Sequence, residues 1–304
     1  MIPDAIICKA CESSLPNGQM ESYSFCPLCG SANYISENSA ADDNNVYFNA
    51  IYSHTDLHII DERKRLFELF SRLDSKLHFR EVERFHHLTM KFQSIITSQK
   101  SVEVGFGCGD ELIKHLRSGA DIYGLDISSE AVKNFKLKYP EYAARAACSA
   151  SFHFAVDAVY SNALFEHLDN PGDFLANAFA MLKPGGQLCM RLPIITGKAG
   201  TDQDAAADIN FWKPCHRILY TLKGLNVLFA RHGFMVRETA ALAYYGYKVM
   251  NRMLKLNYKD IAYSRTPYAH LKGLTDLTFK KILLQSFFEK NICSDFALIA
   301  AKIH

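Results

Sequence analysis

From residue 101 onward, short apolar runs alternate with stretches of helical period. Runs of strand length fall at 101–104, 121–125, 144–148, 155–161, 187–192 and 234–240. Between them, apolar positions at helical spacing cover 110–118, 129–138, 171–182 and 221–232. This alternation, with short connections, predicts an α/β fold built on a doubly wound, mostly parallel sheet. Punctuation agrees: Ser128 can cap its helix, Asn170-Pro171 places a cap before a first-turn proline, and Thr221 and Gly233 bracket the last of these helices. Lys183-Pro184-Gly185-Gly186 reads as a stop between helix and strand. Upstream, Leu66, Phe67, Phe70, Leu73 and Leu77, then Val82, Phe85, Leu88, Met90 and Phe92, predict two helices that form a cap over 45–97. His86 and His87 lie in the second and read as surface or packing residues. Val249, Met253, Leu254, Ile282, Leu283, Leu284, Phe287 and Phe288 suggest a helical insertion over 244–292.

The amino-terminal segment follows a different logic. Cys8-Lys-Ala-Cys11 and Cys26-Pro-Leu-Cys29 are separated by 14 residues, close to zinc-ribbon spacing. Two facing turns, each with two thiolates, define a tetrahedron around zinc. A segment as short as 1–36 is too small to bury a useful core, so a structural zinc ion would supply its folding free energy. A redox pair, two disulfides or unrelated cysteines are the alternatives. The odd total of 9 cysteines argues against a disulfide framework and for a reducing, cytoplasmic setting. Met1-Ile-Pro-Asp4 lacks a basic region followed by an apolar stretch, so no leader is expected, and no apolar run is long enough for a membrane span. Residues 31–45 read as a polar linker.

Within the sheet pattern, Val102 and Val104 lead into Gly105-Phe106-Gly107-Cys108-Gly109, and Asp110 opens a helix. Strand, glycine loop and helix let a nucleotide-like ligand lie against bare backbone. Asp126 ends the next strand, where a carboxylate can accept both hydroxyls of a ribose. A dinucleotide fingerprint wants a third glycine where this chain has Asp110, and Asp110 and Glu111 put negative charge where a pyrophosphate would sit. No Gly-Lys-Ser/Thr follows, which excludes a Walker A loop. A cationic, phosphate-free nucleoside fits better, and S-adenosylmethionine is one.

Here a resemblance becomes specific. Val102-Glu-Val-Gly-Phe-Gly-Cys-Gly-Asp110, Tyr123-Gly-Leu-Asp-Ile-Ser128, Val156-Asp-Ala-Val-Tyr-Ser-Asn-Ala-Leu-Phe-Glu-His-Leu-Asp-Asn-Pro171 and Met181-Leu-Lys-Pro-Gly-Gly-Gln-Leu188 resemble the successive motifs of class I S-adenosylmethionine-dependent methyltransferases. The closest flavour is the type 11/type 23 group that includes the ubiquinone-pathway O-methyltransferases. The resemblance implies a seven-stranded sheet with a cofactor-binding core over 98–243, and Asp295–Lys302 as an antiparallel final strand within 293–304. It further implies that Glu103 orients the loop and reaches the methionine amino group, and that Gly105, Phe106, Gly107, Cys108 and Gly109 line the cofactor. Asp126 would take the ribose, Ile127 would pack on adenine, and Ser161, Asn162 and Leu164 would border the methyl group. Relatives often carry an acid after the third strand to hold the adenine amino group. Arg145-Ala-Ala-Cys148-Ser-Ala-Ser-Phe152 has none. Cys108 reads as a packing residue rather than a nucleophile.

Methyl transfer is an in-line displacement, and the enzyme aligns the nucleophile and, for a hydroxyl, removes a proton. Glu166, His167 and His216 are the candidate catalytic residues, with Asp208 and Tyr220 also near strand ends. Trp212 and Tyr244-Tyr245-Gly246-Tyr247 are candidate pocket walls. Residues 241–304 carry 10 basic and 4 acidic side chains, among them Lys248, Arg252, Lys255, Lys259 and Arg265, which suits an anionic small-molecule acceptor as well as a solvated face. The leading expectation is O- or N-methylation of such an acceptor. An RNA or protein methyltransferase docking through the ribbon would want a basic ribbon, and this one holds only Lys9. A non-catalytic scaffold is the third reading; the intact glycine loop and Asp126 count against it.

Overall fold

The computed structural model describes residues 6–16, 22–35, 72, 76, 79–148, 155–213, 215–243, 245–257, 276–288 and 292–303. The core strands are β3 (Ser101–Val104), β4 (Ile122–Asp126), β5 (Ala146–Cys148), β6 (Val156–Asn162), β7 (Leu182–Ile195), β9 (Phe234–Leu242) and β10 (Cys293–Lys302). They lie in the order β5-β4-β3-β6-β7-β10-β9. Neighbours from β5 to β7 are parallel, and β10 runs antiparallel to both β7 and β9. This is the seven-stranded sheet the resemblance implied, with its antiparallel final strand.

Helices cover both faces, as crossovers in a parallel sheet require. On one side, α1 (Phe79–Ser98), α2 (Asp110–Arg117) and α3 (Ser129–Lys138) bury Phe85, Leu88, Phe92, Leu112, Ile113 and Phe135 against the strands. On the other, α4 (Pro171–Met181) and α6 (Leu222–Arg231) bury Leu175, Ala178, Leu225, Leu228 and Phe229. The remaining helices are α5 (Asp202–Ala206), inside the loop after β7, and α7 (Tyr245–Lys255) and α8 (Asp276–Phe287), which pack together before β10.

Local chemistry explains most boundaries. The Ser128 hydroxyl accepts from Ala131 N and the Thr221 hydroxyl from Gly224 N, each supplying an orphan donor with a partner. Thr201 and Asp204 form a reciprocal capping box that starts α5. Asn170 makes no side-chain cap, and Pro171 alone pre-sets the first turn of α4. Lys183–Gly186 does not break the chain. It is absorbed into β7 as an irregularity in its pairing with β6, and Gly185 takes the positive φ of 75° there. In α1, Met90 faces solvent while Ile95 and Ile96 complete the buried stripe. The first expected helix, on Leu66 to Leu77, lies outside the described residues, except Arg72 and Lys76, which are helical; of the linker expected over 31–45, Ala32–Ile35 is instead a strand and residues 36–45 lie outside the described residues.

The ribbon is a hairpin, β1 (Ser22–Phe25) and β2 (Ala32–Ile35), antiparallel. Residues 218–221, just before the helix expected over 221–232, form a strand that the hydrophobic pattern does not signal, β8 (Ile218–Thr221). It joins β7 in parallel at Ile194 and Ile195 and pairs antiparallel with β2 at Ala32 and Asn33. The ribbon is therefore an extension of the core sheet, and Cys8, Ala10 and Cys11 share one hydrophobic cluster with α4 and α6.

Candidate cofactor loop, acceptor side and metal centre

The glycine loop leaves β3 with Gly105, Gly107 and Gly109 at φ of 76°, 54° and 76°, a left-handed sequence that side chains resist. At Gly109 a Cβ would also meet the Phe135 ring at 2.3 Å, so glycine is required twice over. Phe106 turns its ring inward, edge-on to Phe135 at 5.5 Å, so only its backbone belongs to the loop surface. Leu164, past the end of β6, lies against Gly105, where an added Cβ would approach it at 2.9 Å. Cys108 is half-buried, and burial raises its thiol pKa, which suits packing rather than nucleophilic attack.

Asp126 is buried at the end of β4. Its Oδ2 accepts from Gly107 N at 2.9 Å and its Oδ1 from Ser128 N at 2.8 Å, tying the loop to the start of α3. Each oxygen retains a lone pair for a further donor. Ile127, next in sequence, is 71% exposed, an apolar side chain presented to solvent beside this carboxylate. The expected adenine-side segment after Cys148 lies largely outside the described residues.

Glu103 sits under the loop, 4% exposed, and its Oε2 has no hydrogen-bond partner. Burial, reinforced by Glu111 and Asp126, pushes its pKa up to about 8. A carboxyl held protonated mainly by burial is a receptor for a cation: an ammonium or sulfonium ligand would restore its ionised form. Ser161, also buried, has an unpartnered hydroxyl. A cavity of about 390 Å³ lies between α1, α2 and the sheet, with walls that include Phe85, Glu111, Tyr160, Asn162 and Arg191; Glu103 and Ser161 are not among its lining residues. Arg191 donates through Nε to Asp295 at 2.9 Å and through a second nitrogen to the same oxygen. Sequence reading missed this pair. The signal was available, since Arg191 is a charge flanked by the apolar residues Leu188, Met190 and Leu192.

The structure brings Glu166, His167 and His216 together, with one ligand atom from each lying within 4.8 Å of the others. Glu166 and His167 occupy a single 3-10 turn after β6, and His216 arrives from the loop before β8. The imidazole centroids are 4.7 Å apart and nearly perpendicular. His167 Nδ1 faces Cys215 O at 2.8 Å and His216 Nδ1 faces Asn210 O at 2.6 Å. A carbonyl can only accept, so in the neutral rings Nδ1 carries the proton and Nε2 the lone pair. Burial lowers the pKa values to about 4 and about 3, so both rings are neutral at pH 7. Glu166 is 2% exposed, its Oε2 has no partner, and burial raises its pKa to about 8.

Other expected acceptor-side residues have structural work. Asp208 is fully buried, accepting from Asn210 N and Nδ2 and from Cys293 N. Trp212 packs edge-on against His216 at 5.7 Å. Tyr245 donates to Leu283 O, and Arg252 to Gln285 Oε1 at 2.7 Å, joining α7 to α8. Lys248 is buried. Tyr244, Lys259 and Arg265 lie outside the described residues.

At the ribbon, Cys8, Cys11, Cys26 and Cys29 are buried, with Cys8 and Cys29 Sγ 3.7 Å apart and Cys11 and Cys26 Sγ 3.5 Å apart. Tetrahedral zinc with bonds of about 2.3 Å sets its sulfurs ~3.8 Å apart, so the cage fits that ion. Supporting donors point at the sulfurs: Asn33 Nδ2 at Cys8 and Cys29 N at Cys26, each at 3.5 Å. The cage is locked to the core. Thr221 Oγ1 donates to Cys29 O at 2.6 Å, Tyr34 N donates to Arg217 O at 2.9 Å, and Tyr23 OH donates to His216 O at 2.8 Å.

Comparison with known proteins agrees with this geometry. Residues 102–190 match a family profile described as a methyltransferase domain. Among solved structures, geranyl diphosphate C-methyltransferase from Streptomyces coelicolor, in complex with Mg2+, geranyl diphosphate and S-adenosyl-L-homocysteine, aligns at 14% identity over 88% of this chain and 100% of its own, with a TM-score of 0.52. A chain of the complex formed by the Haloferax volcanii Trm112 methyltransferase activator aligns at 15% identity over 84% and 98%, with a TM-score of 0.51. At these identities they establish the fold. No curated protein sequence gives a significant match. Residues 102–190 thus resemble a methyltransferase domain, and the chain around them has the α/β, Rossmann-like fold seen in these solved structures.

Proposed function

We propose that this protein transfers the methyl group of S-adenosylmethionine to an oxygen or nitrogen of a small-molecule acceptor, with zinc in the cysteine cage as a structural ion. The observation that carries the reading is the combination of Asp126 with the buried Glu103 carboxyl, whose Oε2 is unpartnered, beneath a left-handed glycine loop. One group suits a ribose diol and the other a cationic amino-acid tail, and no phosphate-binding feature lies between them. When bound, the cofactor would supply an electrophilic methyl group; the chain's own residues align it and receive the acceptor's proton.

Gly105 to Gly109 present bare backbone, Asp126 fixes the ribose end, Ile127 covers an adenine face, and Glu103 holds the amino end. Ser161, Asn162 and Leu164 border the reacting methyl. On the acceptor side, Glu166, His167 and His216 are the groups able to orient an acceptor or take its proton, since both imidazoles are neutral with the lone pair on Nε2. Preference for a small acceptor over a macromolecule docked on the ribbon rests on the sheet pairing. β2 is consumed by β8, and the cysteine turns are packed on α6.

Calorimetric titration of S-adenosylmethionine into wild type and Asp126→Ala tests the reading. Binding by the wild type and a loss of about 1.5–3 kcal/mol in the variant are expected, the range for a hydrogen bond to a charged group. Equal binding by both proteins, or none by either, sinks the ribose assignment.

A further inference from the structure

We infer that Glu166, His167 and His216 form a second metal site, distinct from the cysteine cage, that takes a divalent transition-metal ion through two imidazole Nε2 atoms and one carboxylate oxygen. Three independent observations converge on it. The donors come from two separated parts of the chain, the turn after β6 and the loop before β8, and their ligand atoms already lie within 4.8 Å of one another. Around an ion with bonds of about 2.1 Å, tetrahedral partners stand ~3.4 Å apart, so at most about 1.4 Å of side-chain closure completes the set.

The outer shell is that of a ligating histidine pair. Each Nδ1 is turned to a backbone carbonyl, Cys215 O for His167 and Asn210 O for His216, which fixes both rings in the tautomer that aims a lone pair from Nε2. Lastly, Glu166 is buried with Oε2 unpartnered, a group that costs free energy unless a cation or donor meets it. An ion supplies that partner and ionises the carboxyl, in spite of the burial that otherwise keeps it protonated.

Two imidazoles and one carboxylate select a borderline divalent ion such as Zn2+ or Fe2+ over Mg2+ or Ca2+, which want oxygen shells. Three protein ligands leave at least one position open, the mark of an ion that meets a substrate rather than one that only staples a fold. The site's existence does not depend on the methyl-transfer reading. Its position just past the methyl-bordering residues Ser161 to Leu164 would let a coordinated acceptor hydroxyl shed its proton to water more easily.

The test uses the intact zinc-loaded protein titrated with Co2+, followed by visible absorption and by metal analysis after desalting. Zinc fills the cysteine cage, so the wild type should bind one further equivalent with nitrogen- and oxygen-ligated d–d bands and no thiolate charge-transfer band. Glu166→Gln and His216→Gln should each weaken that binding by roughly 100-fold, the upper end of what even a supporting residue costs, while retaining the cage zinc and the circular dichroism of the wild type. If one of these variants does not fold, His167→Gln carries the same expectation. No saturable second equivalent in the wild type overturns the site, as does a second equivalent that survives loss of His216 or Glu166. S-Adenosylmethionine binding is read separately, so its failure and the failure of this site remain distinguishable.

Discussion

The protonation of Glu103 should make cofactor binding strongly pH-dependent, in a direction set by the structure. In the ligand-free protein its pKa is raised to about 8, first by burial and then by Glu111 and Asp126. A bound cation reverses that shift, so binding expels the proton, and affinity rises with pH until Glu103 is already ionised in the free protein. At pH 6 only about 1% of Glu103 is ionised and at pH 7 about 9%, while an α-amino group with pKa near 7.8 stays ~98% and ~86% cationic. The product of the two fractions gives an affinity gain of about eightfold between pH 6 and 7, with net release of roughly 0.8 proton at pH 7. Above pH 8 the ligand amine loses its charge and the gain reverses. Calorimetry of S-adenosylmethionine binding in buffers of different ionisation enthalpy reads both quantities at once. Glu103→Gln mimics the protonated acid without disturbing its burial. It should abolish the rise and bind about tenfold or more weakly at pH 8, the worth of a charge-assisted contact. A flat profile from pH 6 to 8 in the wild type, or an unchanged profile in Glu103→Gln, would show that Glu103 does not meet the ligand's cation.

Other perturbations follow from contacts elsewhere in the fold. Gly109→Ala adds a Cβ in the left-handed region and 2.3 Å from Phe135, so chemical denaturation should show a loss of roughly 2 kcal/mol or more, together with weakened cofactor binding. Cys26→Ser should lose cage zinc by metal analysis and lower the thermal midpoint, because the ribbon's folding free energy is metal binding. Since Tyr23 OH holds His216 O at 2.8 Å, the same variant should also shift the NMR signals of the His216 ring. Gly224→Ala would put a Cβ 2.3 Å from Ser31 Oγ and near Cys29 Sγ, forcing α6 away from the cage, and should accelerate zinc loss to a chelator.

What the sequence by itself determined was the part governed by local pattern. Alternating strand and helix periods give the parallel sheet, the glycine spacing gives the left-handed loop, Asp126 falls at a strand end by register alone, and paired Cys-x-x-Cys turns give the cage. Each depends on residues within one turn or one βαβ unit, where steric and hydrogen-bonding preferences act directly. Tertiary structure decided the rest. Ile218–Thr221 is a strand only because β2 and the end of β7 offer their edges to it, which no periodicity in four residues encodes. Glu103 and Glu166 are ordinary carboxylates in sequence and become neutral acids only when packing removes their water. His167 and His216, 49 positions apart, meet with ring centroids 4.7 Å apart, and two backbone carbonyls from a folded loop fix their tautomers. Local preference writes the elements and the loop, but desolvation and long-range pairing exist only in the folded chain, and they create the charge states on which any chemistry here depends.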